Sequence, residues 1–177
     1  MALTTTTKMA NRYGLNVSIY ALDDTTMQTA LMTIDFANVS NIEVTSDKVW
    51  ATGGQDHANQ IGFNNPLNGS FTLSTQIMTA EVLNLMAGGQ AGSATSTIEF
   101  KNDATAAPKY YIIKAETVWQ DDAGNTYAET MTFHKASPRK AINISYSGDG
   151  DPLSVDIVFD LLQNSEKKLL TITKAAS

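Results

Sequence analysis

Residues 69–89 read GSFTLSTQIMTAEVLNLMAGG and carry two different periods. Phe71 and Leu73 alternate with Thr72 and Ser74, the period of two that gives a strand one apolar and one polar face. From Thr79 the spacing changes. Val82, Leu85 and Met86 fall at i, i+3 and i+4, an apolar stripe along one side of a helix. Thr79 suits the N-cap, Glu81 the positive end of the helix dipole, and Gly88 the left-handed residue that stops the helix. So short a helix does not hold alone in water, so Val82, Leu85 and Met86 are expected to pack on a sheet.

Outward from this stretch the period of two dominates. Val17 and Ile19 alternate with Ser18 and Tyr20, and Met32, Ile34 and Phe36 with Thr33 and Asp35. Ile42 and Val44 alternate with Glu43 and Thr45, and Val155, Ile157, Phe159 and Leu161 with Ser154, Asp156 and Asp160. Two further strands, near 109–119 and 126–136, flank QDDAGN, where Gly124 and Asn125 tolerate positive φ; this reads as a hairpin. The expected fold is mainly β, an antiparallel sandwich or barrel-like sheet with one short packed α-helix, in a single domain over 1–177. No internal repeat is visible.

Residues 51–68, ATGGQDHANQIGFNNPLN, form a long polar connection, where about 4–6 residues is usual. It reads either as a hairpin tip or as a loop that orders against a neighbouring molecule, with Ile61 and Phe63 as its apolar anchors. Residues 1–12 and 168–177 read as arms. Leu170 and Ile172 alternate with Thr171 and Thr173, so the C-terminal arm suits strand addition to a sheet edge, its own or another's.

Composition excludes several classes of function. The 177 residues hold no cysteine, which removes disulfides, thiolate metal sites and a cysteine nucleophile. A net charge of −6 argues against avid binding to nucleic acid or an anionic membrane. Charged residues are 17% of the chain, against about 25% in typical soluble domains. The polar surface is therefore largely Thr, Ser, Asn and Gln. Such a surface suits packing against copies of itself, although a neutral monomeric sandwich has the same character. No segment approaches the roughly 20 consecutive apolar residues of a membrane helix. MALTTTTKMANRYG lacks the apolar core of a signal peptide, so synthesis in a cytoplasm is expected.

The candidate chemistry is sparse. His57 and His134 have no partner at i+4, so no HExxH-type zinc site exists, and both read as surface or edge histidines. No GxSxG elbow places a serine nucleophile. GGQAG at 88–92 follows a helix instead of opening one, unlike a phosphate loop, and SGDGDP at 147–152 reads as a turn, not a calcium loop. Asp121 and Asp122 sit at a solvated hairpin tip. Tyr110, Tyr111 and Trp119 lack the interleaved Lys or Arg of a base-stacking groove and read as core or interface. No catalytic residue, metal ligand or cofactor site emerges; the chain does not read as an enzyme.

The ordered combination over 49–89, VWATGG, a polar loop, then IGFNNPLNGSFTLSTQIMTAEVLNLMAGG, resembles the major tail tube protein of tailed bacteriophages. The resemblance implies a tail tube fold, hexameric rings stacked into the tube that conducts genome DNA into the host, and a place in the virion tail. Its implied partners are other copies of the chain, a tape-measure protein, tail completion proteins and, where a tail contracts, a sheath. Double-stranded DNA passes through without specific binding, and no membrane partner is implied. In the family a long loop contacts the adjacent ring; the resemblance gives that role to 51–68, with Gly53, Gly54, Gln55, Asp56, His57, Ile61 and Phe63. The termini reach neighbouring subunits in relatives.

The candidate lumen residues are the non-core positions on the strands bracketing that loop: Thr33, Asp35, Glu43, Thr45, Asp47, Thr72, Ser74 and Gln76. They include acids and no base, and an acidic or neutral bore lets DNA slide because it gains no counterion-release affinity. The same alternation also fits faces that meet bulk water. Two other classes share the strand pattern. One is a monomeric carbohydrate- or peptide-binding β-sandwich with Trp50 or Tyr110 on an exposed platform; the other is a small hydrolase, disfavoured by the missing nucleophile elbow and metal pair.

Overall fold

The computed structural model describes residues 9–11, 14–37, 39–46, 48–53, 58–75, 79–93, 96–101, 103, 105–140, 144–145 and 154–176. Along the chain run β1 (Met9–Asn11), β2 (Leu15–Ala21), β3 (Ala30–Ala37), β4 (Val39–Thr45), β5 (Lys48–Gly53), β6 (Ala58–Asn64), β7 (Asn68–Thr75) and α1 (Ala80–Met86). Then come β8 (Tyr111–Asp121), β9 (Thr126–Pro138), β10 (Ile144–Ser145), β11 (Ser154–Leu161) and β12 (Leu170–Ala176). The mainly-β, antiparallel reading with one short helix holds.

The main sheet runs β3-β2-β8-β9-β11-β7-β4, with β1 added to β8, β10 to β11 and β12 to β9; β5 and β6 make a separate two-stranded sheet. Two devices curl the main sheet into a sandwich with shared corners. The first is β9, 13 residues long, which pairs with β8 and β12 over most of its length and with β11 through 136–138. The second is the β3–β4 run, which pairs with β2 before residue 38 and with β7 after it. The curl brings Phe71 of β7 onto Phe133 of β9, rings stacked 4.6 Å apart, although β11 lies between those strands in the sheet order. Phe71 also stacks on Phe159 of β11 at 6.1 Å. Around these rings sit Val17, Ile19, Ile34, Leu73, Ile113 and Ile157, the apolar half of the alternations read from sequence.

The helix covers one side of this core. Val82, Leu85 and Met86 are all buried, and the Thr79 hydroxyl accepts the Val82 N–H at 3.2 Å. At its end the N–H of Gly88 bonds the Leu85 carbonyl and that of Gly89 the Asn84 carbonyl, the paired bonds of a Schellman motif, with Gly88 at φ 85°. The β8–β9 hairpin closes differently from expectation. Gly124 takes φ 87°, but Asn125 stays out of the left-handed region and its side chain donates to Asp121 Oδ2 at 2.9 Å. Asp121 Oδ1 also accepts the N–H groups of Ala123 and Asn125, so the turn is built around that carboxylate.

Residues 51–68, read as a hairpin tip or as a loop that orders against a neighbour, are strand over much of their length. β5 and β6 pair antiparallel, with Val49 opposite Phe63 and Ala51 opposite Ile61, and a bulge between Ala51 and Thr52. Glycines and amides masked the period of two, because a hairpin satisfies its backbone across the ladder whatever its side chains. The arms also belong partly to the sheet. Within 1–12, Met9–Asn11 pairs with 119–121 of β8; within 168–177, β12 pairs with β9 of its own chain.

Candidate functional site

The β5–β6 ribbon extends the β4–β7 hairpin. The β4–β7 ladder ends at Thr45 opposite Asn68, the β5–β6 ladder begins at Lys48 opposite Asn64, and the Ser46 hydroxyl donates to the Asn65 carbonyl at 3.2 Å across the break. In the register of the ribbon, Val49 lies opposite Phe63 and Ala51 opposite Ile61. Two large apolar side chains lie exposed at its base: Val44 at 38% and Leu67 at 55%. An isolated two-stranded hairpin is at best marginally stable in water, and a ribbon of this kind gains order by being covered. Of the candidate contact residues, Gly53, Ile61 and Phe63 lie on this ribbon, whereas Gly54, Gln55, Asp56 and His57 lie outside the described residues.

The candidate lumen residues divide between two parts of the sheet. Glu43 and Thr45 on β4 and Thr72 and Ser74 on β7 lie on the face opposite the buried Phe71 and Leu73. Thr33 belongs to β3, paired with Ser18 of β2 in the other half, and Asp35 lies on the same strand. Asp47 and Gln76 fall outside the described residues. The register adds two acids: Asp156 lies opposite Ser74 and Asp160 opposite Ser70 on the polar face of β11. The Ser74 hydroxyl donates to Asp156 Oδ1, and Arg139 forms an ion pair with Asp160. Glu43, Asp156 and Asp160 thus share one Ser/Thr-rich face, with Arg139 offsetting one charge. Alternation over 154–161 already marked Asp156 and Asp160 as polar-face positions. The pairing of β11 with β7, some eighty residues apart in the chain, carried no local signal.

On the other half of the sheet, a groove of about 490 Å³ lies between the β2–β3 and β11–β12 turns, lined by Leu22, Met27, Ile112, His134, Asn164 and Glu166 among others. His134 Nε2 lies 2.7 Å from Thr171 Oγ1. Burial, then repulsion from Lys168, push its pKa below the usual imidazole value, with Glu166 opposing. The folded chain therefore resists a proton that the unfolded chain accepts from about pH 6.5 downward. Stability carried by neutral His134 is complete above the unfolded value and is lost as pH falls through it toward the lower folded value. Urea midpoints at pH 7.5 and 5.5 are expected to fall further for the native chain than for His134→Gln. Equal falls would remove His134 as the cause.

The aromatics off the core are met by cations that sequence did not place beside them. Lys135 Nζ lies 4.4 Å from the Tyr110 ring centroid and Lys174 Nζ 4.3 Å from that of Trp119. Both cations come from other strands, so they do not interleave along the chain. Asp121 stays ionised, its pKa held down chiefly by the Asn125 side chain, and serves the hairpin turn. Residues 147–152 lie outside the described residues. Among the described residues no cluster of three or more His, Asp or Glu is arranged to hold a metal ion, and no helix is long and apolar enough to cross a membrane.

No family model matches the chain, and no curated protein matches it. Among solved structures, it is similar to a chain in the cryo-EM structure of the anti-feeding prophage (AFP) baseplate, 6-fold symmetrised. The two share 12% sequence identity and superpose with a TM-score of 0.55, over 99% of this chain and 98% of that one. At that identity the likeness is one of fold, and it extends from end to end of both chains.

Proposed function

We propose that this chain is a structural subunit of a phage-tail-like particle, polymerising as stacked hexameric rings into the tube through which DNA passes to the host. The observation that carries this reading is the end-to-end fold likeness to a chain of a sixfold-symmetrised prophage baseplate. The tail tube resemblance of residues 49–89 supports it independently, because those residues contain the ribbon and the helix of the fold. In this reading the β5–β6 ribbon makes the contact between rings, and the further partners are a tape-measure protein, tail completion proteins and, in a contractile tail, a sheath.

The physics of the surface agrees. Sheet edges invite pairing with another chain, and closing a ring removes them. The Ser/Thr face with Glu43 and Asp156 suits a bore, since its acids repel phosphate and Arg139 is already paired with Asp160. Replacing Glu43 and Asp156 together by Lys is expected to permit assembly but slow DNA passage, more strongly at low salt, because each added cation gains counterion-release affinity. Ejection rates that match the native particle would place this face away from the bore. Light scattering over a concentration series tests the function itself. Mass that climbs in multiples of a hexamer supports the tube; a constant monomer mass favours a ligand-binding sandwich.

A further inference from the structure

β12 lies at the edge of the sheet, with β9 as its only strand partner among the described residues. Ile172 is 53% exposed, and Thr171 and Thr173 are exposed as well, so the strand buries little of its own surface. Beyond its ladder to β9, Leu170 packs against the core and Thr171 meets His134 Nε2 near the start of the strand, while one charged side chain ties down its far end. Lys174 Nζ lies 3.0 Å from Glu129 Oε2 and 4.3 Å from the Trp119 ring centroid. Glu129 is only 6% exposed, and losing its cation would leave a buried carboxylate without a counter-charge. The connection back to β11 is a tight turn. Asn164 Oδ1 accepts the N–H groups of Glu166 and Lys168, and Lys167 takes φ 60°, the left-handed region where a side chain is strained.

We propose that β12 is a latched, exchangeable strand, with Lys174 as the latch and the 164–168 turn as the hinge. When Lys174 leaves its seat between Glu129 and Trp119, β12 swings out, and the β12 of a second copy takes its place on β9. The register identifies that occupant: Leu170–Ala176 is the segment that fits the 127–133 edge of β9, and every copy of the chain carries it. A short, strained hinge favours the extended form in which strands exchange. The exchange requires no ring or tube, so it stands apart from the proposed function.

The test uses the full chain, whose lack of cysteine leaves room for a reporter pair. Thr130 and Thr173 are opposite in register, so Thr130→Cys with Thr173→Cys reports which copy supplies β12. Isotope-labelled and unlabelled proteins are mixed at high concentration, incubated, diluted and oxidised, and cross-links are read by mass spectrometry. Adding Lys174→Ala is expected to raise mixed-isotope cross-links and to speed amide exchange over 127–133 by about tenfold or more. Lys167→Gly relieves the closed turn and is expected to lower both. Cross-links confined to single copies in the Lys174→Ala protein would overturn the exchange, and unchanged amide exchange would overturn the latch.

Discussion

A chain in which residues 47–66 are replaced by an Asn-Gly turn is expected to fold normally and form no tubes. The excision removes the β5–β6 ribbon and leaves Ser46 to be followed by the turn and then Leu67. The β4–β7 ladder already closes at Thr45 opposite Asn68, and Asn-Gly is the preferred two-residue closure for such a pair. Because the β4–β7 ladder closes before the excised segment, the urea midpoint should shift by the equivalent of no more than about 1 kcal/mol. The excision takes out Lys48–Gly53 and Ala58–Asn64 with the residues between them. If the ribbon joins one ring to the next, rings accumulate and no longer stack. Long tubes from the excised chain would remove the ribbon from the contact.

Phe71→Ala is expected to have the largest effect on stability. Its ring is fully buried and stacked on both Phe133 and Phe159, so it joins β7 to β9 and β11 across the curl of the sheet. Truncating such a ring costs about 3–5 kcal/mol, through lost transfer energy and the cavity left behind. Against a total of roughly 5–15 kcal/mol for a single domain, that is a large share. Denaturant unfolding should show a lower midpoint with an unchanged slope. A loss below about 1 kcal/mol would mean that the β9 and β7 parts of the sheet are not joined through this ring.

Much of the fold was legible because its signals are local. The alternation of Phe71 and Leu73 with Thr72 and Ser74, the stripe of Val82, Leu85 and Met86, and the Thr79 and Gly88 caps each depend on residues a few positions apart. The β5–β6 strands were not, because Gly53, Gly62 and a run of amides carry the chemistry of a loop while the backbone ladder makes a hairpin. The candidate site was legible in part. Glu43, Thr45, Thr72 and Ser74 share a face as alternation requires. Asp156 and Asp160 join it only through the β11–β7 register, and Thr33 sits in the other half because the β3–β4 run changes partner near residue 38. The seat of Lys174 between Glu129 and Trp119 needs three strands in register, and no single stretch encodes it.

The most direct test of the central claim is negative-stain electron microscopy of the purified chain over a rising concentration series. Rings with sixfold symmetry that stack into hollow tubes are expected, with bare rings and no tubes from the ribbon-excised chain. Compact single particles at every concentration, unchanged when preformed tail baseplates are added as an initiator, would contradict it.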